Sequence, residues 1–197
     1  MPPTPQGFGA DRGERLPLIA ETEMTPEQRA AAAAIINGPR KAVFGPFVPL
    51  LHRPALMERV GEVGAALRFQ GILADPVREL VIAWVARATD NQFEWQMHAP
   101  LAVKAGIAPA VLDAVAQGRH PQGLAADLAV ALDVAAEIIG HNGLSDATYA
   151  EAVSVFGPDG LVEMTALVGY FAMICWVMNV ARTPGPGSYP ALAPLPS

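Results

Sequence analysis

RELVIAWVARATDNQFEWQMHAPLAVKAG, residues 78–106, decides how the rest of the chain is read. Apolar residues recur through it at helical spacing, and Asp90-Asn91-Gln92 interrupts them. The stretch therefore reads as two helices joined by a short polar break. The first starts at Asp75-Pro76, with Asp75 as the expected cap and Pro76 in the first turn. The second resumes near Phe93 and ends at Gly106, a residue suited to the position after a helix. Three ionisable residues, Glu79, Glu94 and His98, sit among the apolar ones.

Helical signals continue on both sides. Thr25-Pro26-Glu27-Gln28 opens a helix with a capping box, and Asn37-Gly38-Pro39 stops it. Residues 43–51 are apolar but carry Pro46 and Pro49, which rules out a regular helix and leaves a loop that packs on the core or lines a pocket. Residues 54–69 form a helix with Leu56, Val60, Val63 and Leu67 on the expected buried side. A short helix follows over 109–118 and an alanine-rich helix over 124–141. Ser145-Asp146 caps another to about residue 155, Phe156-Gly157-Pro158 ends it, and a last helix runs from about 159 to 182. No alternating strand pattern appears, so the fold is expected to be all-α with about seven or eight helices. Residues 1–24 read as an arm, 25–183 as one helical domain and 184–197 as a loose Pro-rich tail.

Composition narrows the function classes. Hydrophobic residues make up 52% of the chain and the mean hydropathy is +0.29, which calls for either a membrane segment or apolar surface buried between subunits. Residues 160–181 are long enough to span a bilayer, but Glu163 and Asn179 lie within them and Arg182 is the only flanking cation. A buried core or interface helix is the favoured reading. A net charge of -6 without a basic cluster argues against nucleic-acid partners. One cysteine, Cys175, excludes an internal disulfide and a Cys-x-x-Cys pair. With no secretory signal at the N-terminus, a cytoplasmic protein without membrane partners is expected.

Glu94 and His98 are four residues apart, so a helix puts them on one face, where a carboxylate can fix the imidazole tautomer and raise its pKa. Trp95 and Met97 flank them. The same spacing also occurs on ordinary solvated helices. Glu79 lies on the preceding helix, where it can equally complement the helix dipole. In a straight hairpin it would sit roughly 16 Å from the break and His98 about 9 Å beyond it. The two then meet only if the helices bend or a neighbouring subunit completes the site. Metal ligation by Glu79, Glu94 and His98 is a rival reading, although no metal is expected. No nucleophile elbow and no phosphate-binding glycine loop is present.

Arg78-Glu79-Leu80, Phe93-Glu94-Trp95-Gln96-Met97-His98 and Ala102 to Gly106 together resemble the carboxymuconolactone decarboxylase family, which includes the AhpD-like alkylhydroperoxidases. The similarity extends over about residues 40–183, through Gly45-Pro46-Phe47 and the 156–163 segment. The AhpD-like branch carries two thiols whose places fall on Asn91 and Glu94, so thiol-based peroxide reduction is not expected. The resemblance implies a cofactor-free decarboxylase or double-bond isomerase acting on a small carboxylated lactone, or a helical oligomer that only binds small molecules. It also implies a homo-oligomer, trimer or hexamer. In this reading His98 is the acid/base, Glu94 orients it, and Glu79 is a second proton-handling or orienting group. Arg78 or Arg87 would hold a substrate carboxylate, while Trp84, Trp95, Asn91 and Phe47 would shape the substrate pocket.

Overall fold

The computed structural model describes residues 13–195, which form eight α-helices and no strand. They are α1 Pro26–Asn37, α2 Phe47–Leu50, α3 Pro54–Phe69, α4 Asp75–Ala88, α5 Gln92–Lys104, α6 Pro109–Ala116, α7 Ala126–His141 and α8 Asp146–Ala181. Helix α4 is the centre. Its consecutive residues Leu80, Val81, Ile82 and Ala83 are all fully buried, and at about 100° per residue they cover most of the helix circumference. Helices α5, α6, α7 and α8 all pack on it. One core fills the space between α4, α3, α7 and α8, with Met57, Leu67, Val134 and Phe171. A second joins α4 to α5 and α6 through Leu80, Trp95, Leu112 and Val115.

The capping box at α1 is formed: Gln28 N–H donates to Thr25 Oγ1 at 3.2 Å and Thr25 N–H donates to Gln28 Oε1 at 2.9 Å. Gly106 takes the left-handed conformation after α5, with φ 102°. Asp75 does not cap α4. It is the first helical residue, and its carboxylate accepts from Arg78 Nη2 at 2.8 Å instead.

Two local readings are corrected by packing. Residues 47–50 do form one helical turn, α2, because Pro46 and Pro49 fall where a missing N–H costs little in so short a helix. On α3 the buried face is Met57, Val60, Gly61, Gly64 and Leu67, while Leu56 and Val63 are each half exposed. The glycines decide this. A Cβ at Gly64 would lie 2.1 Å from the Tyr170 hydroxyl, so α3 turns its smallest residues, rather than its largest apolar ones, toward α8.

Helix α8 is broken at Gly157 (φ 72°, ψ 170°), a conformation open in practice only to glycine. By length and composition α8 is long and apolar enough to cross a membrane, and 56% of its most hydrophobic 18-residue stretch is buried within the protein. Glu163, a charge beyond the break, accepts N–H bonds from Ile72 and Leu73 at 2.9 and 3.0 Å.

The ends of the described chain are docked. Arg15 N–H donates to the Ala181 carbonyl at 2.8 Å, while the rest of the expected arm, residues 1–12, lies outside the described residues. The tail is not loose, contrary to its composition. Pro100 removes an N–H from inside α5 and frees the Gln96 carbonyl, which takes the Ser188 hydroxyl at 2.9 Å. The Gln92 side-chain amide pairs with both backbone groups of Leu192, each at 2.9 Å, and Leu192 is buried in the second core.

Candidate active site

The site is built where α4, α5 and α8 meet. After α4 the chain reverses through Asp90 (φ 52°), and Asn91 N–H returns to the Ala86 carbonyl at 2.8 Å. The Asn91 side chain then sets where α5 begins. Its Oδ1 accepts Glu94 N–H at 2.8 Å, while its Nδ2 donates to the Cys175 carbonyl at 3.1 Å and to Asn179 Oδ1 at 2.8 Å. Glu79 lies nine residues before the end of α4 (88 − 79) and His98 six after the start of α5 (98 − 92). Their axial offset is therefore only about 4.5 Å, which two long side chains span. The expected distance problem disappears within one subunit.

His98 Nδ1 and Glu79 Oε2 are 2.6 Å apart, and His98 Nε2 lies 3.1 Å from Glu94 Oε2. All three residues are at most 5% exposed. Phe171 of α8 meets the imidazole edge-on, with centroids 5.2 Å apart. Burial pulls the His98 pKa down, but the bonds to Glu79 and Glu94 outweigh it and leave the imidazole raised. For Glu79, burial pushes upward, yet the His98 bond and the charges of His98, Arg78 and Arg68 hold the carboxyl below its usual value. Each ring nitrogen faces a carboxyl oxygen, an arrangement that favours the imidazolium over the neutral ring. Because those carboxylates occupy opposite ring nitrogens, the three side chains do not converge on one point as metal ligands would.

Glu94 and His98, but not Glu79, line a cavity of about 30 Å³ together with Arg40, Phe47, Arg68 and Tyr170. That is room for about two waters, so a larger ligand must displace wall side chains. Glu79 stands behind the imidazole.

Of the other expected site residues, Phe47 lines this cavity and is buried, with the Arg40 guanidinium 4.6 Å above its ring. The rest are placed elsewhere. Arg78 bonds Glu79 at 3.3 Å and Asp75. Arg87 is buried against the Ala116 and Ala193 carbonyls and Asp90, tying α4 to α6 and the tail. Trp84 packs beside His120 and between the two cores. Trp95 donates its indole N–H to the Pro190 carbonyl at 2.9 Å and stacks edge-on with Tyr189. Asn91 caps α5 as described. Sequence reasoning missed Arg40, Arg68 and Tyr170. The available signal was Gly64, whose missing side chain leaves room for both the Tyr170 hydroxyl and the Arg40 guanidinium, with Arg68 four residues further along the same helix.

Residues 54–137 match the model of the Carboxymuconolactone decarboxylase family, a span that includes Arg68, Glu79, Glu94 and His98. Over this span the chain is similar to the carboxymuconolactone decarboxylase family. No curated protein matches it. Its fold is AhpD-like. A peroxidase-related protein from Ralstonia eutropha described as an alkylhydroperoxidase AhpD core superposes with a TM-score of 0.72 at 17% identity, over 90% of this chain and 95% of that one. A putative antioxidant defence protein AhpD from Agrobacterium tumefaciens gives 0.62 at 13%, over 70% and 94%. The debrominase Bmp8, bound to 2,3,4-tribromopyrrole, gives 0.64 at 9%, over 89% and 94%. At these identities the likeness is one of fold. The partial family match and the fold leave the reaction open, because proteins of this shape include both peroxidase-related proteins and a debrominase.

Proposed function

We propose that this protein is a cofactor-free acid–base enzyme that decarboxylates a small carboxylated lactone or related acid, or shifts its double bond. The observation that carries the reading is His98 held at both ring nitrogens by buried carboxylates, with one of the two, Glu94, on the cavity wall. Such a group stores a proton in a desolvated place and presents it to a bound molecule. In the decarboxylation the carbon–carboxylate bond breaks, carbon dioxide leaves, and the electron pair passes into the adjacent unsaturated lactone. Glu94 swings away from Nε2, and the proton there is delivered to the carbon that receives the pair. Glu79 keeps Nδ1 bonded throughout, and the imidazole regains its proton from water. The same proton traffic without carbon dioxide loss moves a double bond.

Thiol peroxidase chemistry finds no support here. Cys175 is fully buried, and burial first and the Glu94 charge second push its thiol well above the usual value. The test is carbon dioxide release from aromatic-derived lactones and β-keto acids. His98→Gln should lower turnover by about 100-fold or more while the fold persists; unchanged turnover refutes the assignment. Saturable binding without turnover by the wild type would instead fit a binding protein.

A further inference from the structure

Arg40 and Arg68 are not explained by the acid–base group. Both are half-buried, both line the cavity, and neither has a carboxylate partner among the described residues. They are held by aromatic faces instead. The Arg40 guanidinium lies 4.6 Å above Phe47 and 6.0 Å from Phe69, and the Arg68 guanidinium lies 5.2 Å from Phe69. Stacking of this kind fixes the plane of a guanidinium while leaving its N–H edge open.

The two cations are also close enough to disturb each other. Burial first draws the Arg40 pKa down, the Tyr170 hydroxyl partly offsets this, and the Arg68 charge draws it down again. The nearby carboxylates form no ion pair with either cation: Glu79, which feels the Arg68 charge, and Glu94 are bonded to His98, and Arg78 is shared between Glu79 and Asp75. Among the residues lining the pocket, Arg40 and Arg68 stand against one carboxylate, Glu94, which gives +2 − 1 = +1 before any charge on His98, in a chain whose net charge is -6. Tyr170, only 7% exposed, adds a hydroxyl beside Arg40 in the space Gly64 leaves open.

We propose that Arg40 and Arg68, with the Tyr170 hydroxyl, form a carboxylate-binding subsite at the outer end of the pocket that directs a small organic acid's carbon skeleton toward His98. The subsite deepens the acid–base reading, since its orientation toward His98 rests on that reading. The open N–H edges of two planar forks suit a planar two-oxygen anion. Half-buried arginines outside and buried Glu94 and His98 inside give the pocket a polarity, anion outward and reacting carbon inward. A neutral ester or amide of the same acid would leave both cations uncompensated and bind poorly.

Isothermal titration with muconate, benzoate, dimethyl muconate and inorganic phosphate tests this on wild type, Arg40→Gln, Arg68→Gln, Arg40→Lys and His98→Gln. Circular dichroism melts establish that each variant is folded. The expected result is saturable muconate binding by wild type, weakened about tenfold or more in each Arg→Gln variant. Arg40→Lys should fall between them and wild type, and the dimethyl ester should bind no better than muconate binds the Gln variants. If Arg40→Gln does not fold, Arg68→Gln decides alone. Equal muconate affinity in the Gln variants and wild type, no saturable carboxylate binding by wild type, or tighter binding of phosphate than of any carboxylate would each overturn the subsite. The two readings fail separately. Unchanged affinity in the arginine variants with turnover lost in His98→Gln removes the subsite alone, whereas lost affinity with turnover intact in His98→Gln removes the acid–base assignment.

Discussion

Glu79→Gln probes the shortest bond in the site without emptying it. Taking one partner from a buried ion pair ordinarily costs about 3–5 kcal/mol, because it strands a charge. Here Glu94 still faces the imidazolium at 3.1 Å, and the glutamine oxygen can accept from Nδ1. What is lost is the difference between a charge-assisted bond and a neutral one. Charged bonds contribute about 1.5–3 kcal/mol and neutral ones about 0.5–1.5 kcal/mol, so the expected destabilisation is about 1–2 kcal/mol. Both partners are at most 5% exposed, so solvent screening takes little from that figure. For a domain of this size it lowers Tm by about 2–8 °C.

The pH dependence is the sharper readout of the same substitution. His98 is raised in the folded protein, so its contribution is complete below its ordinary 6.5 and is lost as pH climbs through the raised value. Glu79 is lowered, so its contribution is complete above its ordinary 4.5 and is lost as pH falls through the lowered value. The two therefore overlap fully between 4.5 and 6.5. In Glu79→Gln the acid limb due to residue 79 vanishes. The alkaline decline moves to lower pH, because Glu94 alone then supports the imidazolium. Urea unfolding across this range, combined with an NMR titration of the His98 ring, measures both effects. Wild-type stability in the variant with an unmoved alkaline decline would show that the Glu79–His98 bond does not form in solution.

Other substitutions test the frame around the site. Glu163→Ala leaves the Ile72 and Leu73 N–H groups without their acceptor and should cost about 1–3 kcal/mol in urea unfolding; an effect near zero would mean that water replaces the carboxylate. Leu192→Ala removes the buried anchor of the tail and should cost about 2 kcal/mol, the low end for a core leucine, whereas a loss below about 0.5 kcal/mol is what an undocked surface residue gives. The homo-oligomer proposal points to the exposed face of α8, where Val162, Trp176 and Val180 are 70%, 58% and 62% exposed at helical spacing. Trp176→Glu should reduce the sedimenting mass to that of one chain, and a wild-type protein that already sediments as a monomer refutes the proposal.

What could be read in the sequence was what lay within one helix. Glu94 and His98 meet because four residues on a helix fix their relation, and that needs no knowledge of the rest of the chain. Glu79 and His98 meet because Asp90 takes a left-handed conformation and Asn91 pins the start of α5 to α8, which spacing alone does not disclose. The α3 face was misread because Leu56 and Val63 outrank Gly61 and Gly64 in hydrophobicity. Close approach to Tyr170 and Phe47 mattered more than apolar area. The tail reads as loose because Pro and Gly mark flexibility when no partner is known. Its partners are the side chains of Gln92, Gln96 and Trp95 and one carbonyl freed by Pro100. Arg40, Arg68 and Tyr170 come from a loop and two helices, so no local pattern could gather them.

The two positions at which thiol-bearing relatives were expected to place cysteines have separate fates, and this bears on the chemistry. Asn91 has become architectural. Its side-chain oxygen caps α5 and its amide bonds α8, so all its polar atoms are spent on holding the hairpin. Glu94 places a second carboxylate on the imidazole, at Nε2. A thiol there would offer a nucleophile that an imidazole could deprotonate. A carboxylate offers no electrons for peroxide reduction, but it raises the basicity of the ring and keeps a proton where a substrate carbon can reach it. In the proposed acid–base reading, Glu94 thus supplies proton capacity where a thiol was expected to supply redox capacity, and Asn91 holds the hairpin in place.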